Sequence, residues 1–162
     1  MHLDEQSRHS GFIIWVDGDA CPGQARELLW RTAVRRHVGT VFVANTPLYL
    51  PPYPELSFQL VPSGPDMADD YIVEHSSRDD IVVTGDIPLA ARLVERSVCV
   101  LNPRGEEWNE ANIGERLAMR NLMEELRSAG LPTGGPSEYG QSDRQRFANA
   151  LDRAVAKRMK KN

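Results

Sequence analysis

Short apolar runs closed by turn residues alternate with stretches of helical spacing from residue 12 to residue 101. FIIWV (12–16) stops abruptly at Asp17, which predicts a short buried strand. Pro22 suits the first position of a helix, where its missing N–H would be unpaired anyway, and Ala25, Leu28, Leu29 and Ala33 follow on one face. Gly39 ends that helix and TVFVA (40–44) is the second strand, so the unit reads as a parallel pair with a right-handed crossover. Pro47, Pro51, Pro52 and Pro54 make the segment 45–56 a loop or extended connection, and SFQLV (57–61) is a weaker third strand. Asp66 sits where a helix cap belongs, Asp69 falls in the first turn, and Tyr71, Ile72 and His75 continue the helix. DIVVT (80–84), closed by Gly85 and Asp86, is the clearest strand; Leu89, Ala90, Leu93 and Val94 mark the next helix, and VCVL (98–101) the last strand.

Beyond residue 105 the pattern is helical. Met119, Leu122, Met123 and Leu126 form one apolar stripe, and Phe147, Leu151, Ala154 and Val155 form another, behind a capping box of Ser142 and Gln145. The expected architecture is a three-layer α/β/α domain with a mostly parallel sheet of about five strands and two C-terminal helices. The domain is expected over residues 11–155, between a flexible tail (1–10) and a basic tail (156–162) that holds all three lysines.

Composition narrows the class. Hydrophobic residues make up 41%, a little low, and charged residues 26%, ordinary for a globular domain, and no apolar run is long enough to cross a bilayer. The polar start MHLDEQSRHS has no signal-peptide core, and Cys21 and Cys99 are too few for a disulfide framework and too far apart for a zinc pair, so a cytoplasmic location is expected. Burial, not reactivity, is expected for Cys21, Trp15 and Trp30, while Trp108 could stack a base. A net charge of −4 argues against purely electrostatic binding of nucleic acid.

The acidic residues change the picture. In a parallel sheet the loops after the strands open on one edge. Asp17 and Asp19 follow the first strand, Asp66, Asp69 and Asp70 the third, and Asp86 the fourth, so all converge on one rim. Aspartates there can be mere caps, but two carboxylates about 4 Å apart repel by roughly 4 kcal/mol at an effective dielectric near 20. A hard divalent cation would turn that repulsion into binding. The rim offers oxygen ligands and little else, so Mg²⁺ or Mn²⁺ is expected at Asp17, Asp19, Asp69, Asp70 and Asp86, and with it phosphodiester hydrolysis.

The stretches VDGDACP (16–22), GPDMADDYIVEH (64–75), VTGDIPLAARL (83–93), LNPRGEEW (101–108), LAMRNLMEELR (117–127), and GGP (134–136) with DRQRFANALDR (143–153), resemble the YaiI/YqxD family of bacterial proteins. The family usually has alanine between its two leading acids, where this chain has Gly18, a change expected to loosen that loop. The resemblance implies a PIN-like fold, the fold of many Mg²⁺- or Mn²⁺-dependent ribonucleases. By that analogy Asp17, Asp69, Asp70 and Asp86 match catalytic positions, with Asp19 an additional ligand and RNA the implied partner. Asn45, Arg104 and Arg144 are candidates for holding its phosphates; the competing reading pairs Arg104, Arg144 and Arg146 with Glu106, Glu107 and Asp143. A homodimer is compatible with these features, and a membrane partner is not expected. Two other functions fit parts of the pattern. Asp17, Asp19 and Thr84 resemble the nucleophile, acid and second motif of haloacid-dehalogenase phosphatases, although no lysine precedes residue 157. A non-catalytic nucleic-acid-binding or protein-interaction module is the other.

Overall fold

In the computed structural model, which describes residues 11–135 and 137–160, this alternation becomes β1 (Ile14–Asp17), α1 (Gly23–Arg36), β2 (Thr40–Ala44), β3 (Leu56–Leu60), α2 (Met67–His75), β4 (Ile81–Val83), α3 (Ile87–Glu95), β5 (Cys99–Leu101), β6 (Glu107–Trp108), α4 (Ile113–Ser128) and α5 (Gln141–Met159). The strands form one sheet in the order β3-β2-β1-β4-β5-β6, with β1 to β5 parallel and β6 antiparallel to β5. The sixth strand is the departure from the expected five. It is two residues long, too short to show any period, and it pairs Trp108 with Val100. The expected tail at residues 1–10, and Lys161, lie outside the described residues; Lys157 is in the last turn of α5. No helix among the described residues is long and apolar enough to cross a membrane.

Side-chain alternation along the strands builds two cores. Phe12, Ile14, Val16, Phe42, Ile81, Val83 and Leu101 face α1 and α5, whose Leu29, Phe147, Leu151 and Val155 cover them. Ile13, Trp15, Val41, Val43, Val82 and Val100 face α2 and α3 on the other side. This is a three-layer α/β/α fold, with α4 packed on the outside of α3. Met119 and Leu122 of the α4 stripe stay exposed, while the stripe on α5 is fully buried.

Alternation also places chemistry. Asp17 ends β1 in phase with Ile13 and Trp15, so its side chain falls on the α2/α3 face. The chain runs outward from β1 through β2 to β3, then crosses by α2 to β4 on the other side of β1. The strand order therefore reverses between β1 and β4, the crevice where open α/β sheets bind ligands.

Two expected caps differ. Asp66 occupies the N-cap of α2 in a left-handed backbone (φ 64°), where its side chain makes no capping bond. At α5 the residue before the helix is Gly140, and its N–H donates to Asp143 at 3.0 Å, so Asp143 does the work assigned to Ser142 and Gln145. Asp143 then gathers Arg104 (2.9 Å) and Arg146 (2.6 Å), which fastens α5 to the β5–β6 turn. Gly105 lies in that turn at φ +98°, and a Cβ there would stand 2.7 Å from the carbonyl carbon of Arg146. Helix backbone cannot yield as a side chain can. Gly105→Ala is expected to cost about 2–3 kcal/mol in urea unfolding, from left-handed strain plus overpacking.

Candidate functional site

The rim assembles around Asp17, which is only 3% exposed. The hydroxyl of Thr84, the residue after β4, donates to its Oδ2 at 2.8 Å. The same hydroxyl oxygen accepts the Asp86 N–H at 2.9 Å, so one side chain ties the ends of β1 and β4 together. Asp86 accepts the Leu89 N–H at 3.0 Å and so caps α3, while Pro88 supplies a pre-formed φ in the first turn. Asp69 arrives from the first turn of α2. One carboxylate oxygen from each of Asp17, Asp69 and Asp86 lies within 4.8 Å of the others.

Crowding of acids in a half-dry crevice perturbs them. Burial pushes Asp17 up to about 6, with Asp86 and Asp19 adding repulsion against the lowering effect of the Thr84 bond. Burial raises Asp69 to about 7, helped by Asp86, Asp17 and Asp66 and opposed by Arg92. Groups this perturbed in a cleft are characteristic of functional sites.

The other two acids of the expected ligand set look elsewhere. Asp70, exposed on the next position of α2, forms a 2.9 Å ion pair with Arg92. Neighbouring helical residues point about 100° apart, and here Asp69 is the one that turns toward Asp17 and Asp86. Asp19 is exposed, and its Oδ2 accepts the Asn45 N–H at 3.1 Å, closing the β1 loop onto the end of β2. Asn45 thus meets the rim through its backbone. Gly18 in this loop is buried, and a Cβ there would lie 2.6 Å from Leu48 Cδ1 and 3.1 Å from the Val43 carbonyl oxygen.

The candidate phosphate-binding arginines divide. Arg104 is committed to structure, bonded to Asp143 and to the Ser137 carbonyl oxygen, with its guanidinium 5.7 Å from the centre of the Tyr139 ring. Arg146 pairs with Asp143 as the competing reading had it. Arg144 keeps a buried Nε with no partner among the described residues. Trp108 is 2% exposed and cannot stack a base, because its ring fills the core beneath β5 and α3. Cys21 is buried, and burial pushes its thiol up to about 12, which suits packing and not nucleophilic attack.

A cleft of about 680 Å³ opens beside Asp19 and Gly85, the residue before Asp86, and is walled by Asn102, Arg104 and Arg116; no member of the triad lines it. Thr84, read in the sequence only as a phosphatase-like motif, had a further signal, since it continues the β4 alternation onto the face of Asp17. Arg116, on the cleft wall, was not singled out in the sequence, because only the docking of α4 against α3 brings it there.

A family model described as "Uncharacterized BCR, YaiI/YqxD family" matches residues 15–157. A UPF0178 protein of Bordetella petrii is 54% identical over 142 residues, covering 88% of this chain and 95% of its own. One of Dechloromonas aromatica is 54% identical over 144 residues, 89% of this chain and 96% of its own, and one of Trichlorobacter lovleyi 48% over 147 residues, 91% and 96%. No solved structure matches. With nearly the whole chain covered at this identity, the protein belongs to the YaiI/YqxD family.

Proposed function

We propose that the crevice between β1 and β4 is a Mg²⁺ or Mn²⁺ site and that the protein hydrolyses phosphodiester bonds, with RNA the expected substrate. The observation that carries this reading is the meeting of three carboxylate oxygens within 4.8 Å at the switch point of the sheet. The donor set fits a hard cation: all three are oxygens, the Cys21 thiol is buried, and His75 is stacked on Tyr71 at 3.9 Å. Asp17, Asp69 and Asp86 would hold the ion, which when bound would polarise a phosphoryl oxygen and offset the charge of an in-line displacement.

The chain's own groups have separable tasks. Thr84 fixes the orientation of Asp17, and the Leu89 amide fixes Asp86, so two of the three acids are held before any ligand arrives. Asp69, less buried than Asp17, completes the ligand set from the first turn of α2. A phosphoaspartate route has less support. Asp19, the acid that route would use, spends an oxygen on the Asn45 amide, and no lysine lines the cleft.

The test is cleavage of a fluorescent single-stranded RNA in Mn²⁺ and Mg²⁺. Asp69→Asn and Asp86→Asn are each expected to lower the rate roughly 100-fold or more. Equal rates in wild type and both variants, or no cleavage of RNA or single-stranded DNA by the wild type, would overturn the proposal.

A further inference from the structure

We infer that Arg116 is a phosphate-binding residue, and that the cleft it lines takes a backbone phosphate of single-stranded nucleic acid next to the carboxylate crevice; this rests on the reading of that crevice as a phosphodiesterase site.

The argument begins with what Arg116 does not do. A buried guanidinium nitrogen without a hydrogen bond is costly, and such groups are normally paired. The Nε of Arg116 is shielded from solvent and has no partner, and its side chain makes no ion pair or hydrogen bond among the described residues. Arg104 across the cleft shows the alternative, with its nitrogens taken up by Asp143 and Ser137. The two arginines therefore differ in availability. Arg104 adds fixed positive potential to the wall, and Arg116 has donors to give.

Position supplies the ligand class. The cleft is lined by Gly85, the residue between Thr84 and Asp86, where a Cβ would stand 3.1 Å from the Ala20 carbonyl oxygen. Its volume of about 680 Å³ lies within the range of ligand pockets, about 300–1,000 Å³. Asn102 and Ser137 add neutral polar groups, and the one acid on the walls, Asp19, has an oxygen engaged with Asn45. An anion with several oxygens, held by a planar fork of N–H donors, is the chemistry such a wall selects. A polymer whose scissile phosphate reaches the carboxylates places a neighbouring phosphate alongside, and the cleft begins at Gly85, one residue from Asp86.

The experiment measures binding without turnover, by fluorescence anisotropy of a labelled ten-nucleotide RNA in EDTA at a series of low salt concentrations. Arg116→Ala is expected to weaken binding roughly 10-fold and to reduce the salt slope by about 1, the signature of one lost phosphate contact. Arg116→Lys should restore the slope and part of the affinity, which a merely structural arginine would not do. Thermal denaturation of both variants in the absence of RNA checks that the fold is kept. Unchanged affinity and slope in Arg116→Ala, or no binding of the oligonucleotide by the wild type, would overturn the inference. Arg116-dependent binding by a wild type that cleaves nothing would leave it standing and remove the hydrolytic reading instead. Cleavage with no Arg116 dependence of binding would do the reverse.

Discussion

Asp17→Asn is expected to stabilise the metal-free protein at pH 8 while erasing its response to Mn²⁺. Asp17 and Asp69 have folded-state values of about 6 and about 7, above the ordinary carboxylate value of 3.8. The folded protein therefore holds more protons than the unfolded chain between roughly pH 4 and pH 7. Stability falls as pH rises through that window and stays low above it, the opposite of the usual salt-bridged aspartate. An asparagine at position 17 keeps an oxygen to accept the Thr84 hydroxyl and turns an N–H₂ toward the remaining acids. The expected gain at pH 8 is about 1–2 kcal/mol, with a flatter pH profile of Tm between pH 5 and 8. Divalent ions should do for the wild type what the mutation does for the variant. At 100-fold excess over Kd, binding stabilises by about 2.7 kcal/mol, a rise of about 5–10 °C for a chain of this size. Thermal denaturation with and without Mn²⁺ reads both effects together. An Mn²⁺ shift equal in variant and wild type would remove Asp17 from the ion site.

The residues of this crevice were legible to different depths. The strands FIIWV, TVFVA and DIVVT announced themselves as apolar runs, and parallel topology then required the aspartates after them to share an edge. What topology could not choose was which member of a crowded pair turns inward. Asp69 and Asp70 are neighbours on a helix, and the choice between them depends on the rotation of α2 against β1 and β2. That rotation is set by Ile72 and Val73, which bury into the sheet and leave Asp70 outside to meet Arg92. Asp17 and Asp19 posed the same problem in a loop, where no period exists; a short 3₁₀ turn at Gly18–Ala20 sends Asp19 toward β2. The arginines left two readings open for a plainer reason. Their partners lie far off in sequence, as Arg104 and Asp143 do, and only packing decides which guanidinium is spent on structure.

One further carboxylate carries no part of the site and is expected to matter most for folding. Asp80 is fully buried at the start of β4. Its Oδ1 accepts the Ile13 N–H at 2.9 Å, and its Oδ2 accepts both the Trp15 indole N–H at 3.0 Å and the Ser77 N–H at 2.9 Å. These donors come from the edge of β1, a core aromatic and the turn before β4, so one side chain sets the register at which the two central strands begin. Asp80→Ala would strand the buried Ile13 and Trp15 donors out of reach of water, free the Ser77 N–H and open a small cavity, and is expected to cost about 4 kcal/mol. Asp80→Asn separates the two contributions. It conserves volume, so a loss due to packing alone would vanish, whereas an amide nitrogen facing N–H donors would still cost about 2 kcal/mol. Chemical denaturation of the two variants measures this directly: an asparagine variant as stable as the wild type would mean that Asp80 fills space and does not organise β1 against β4.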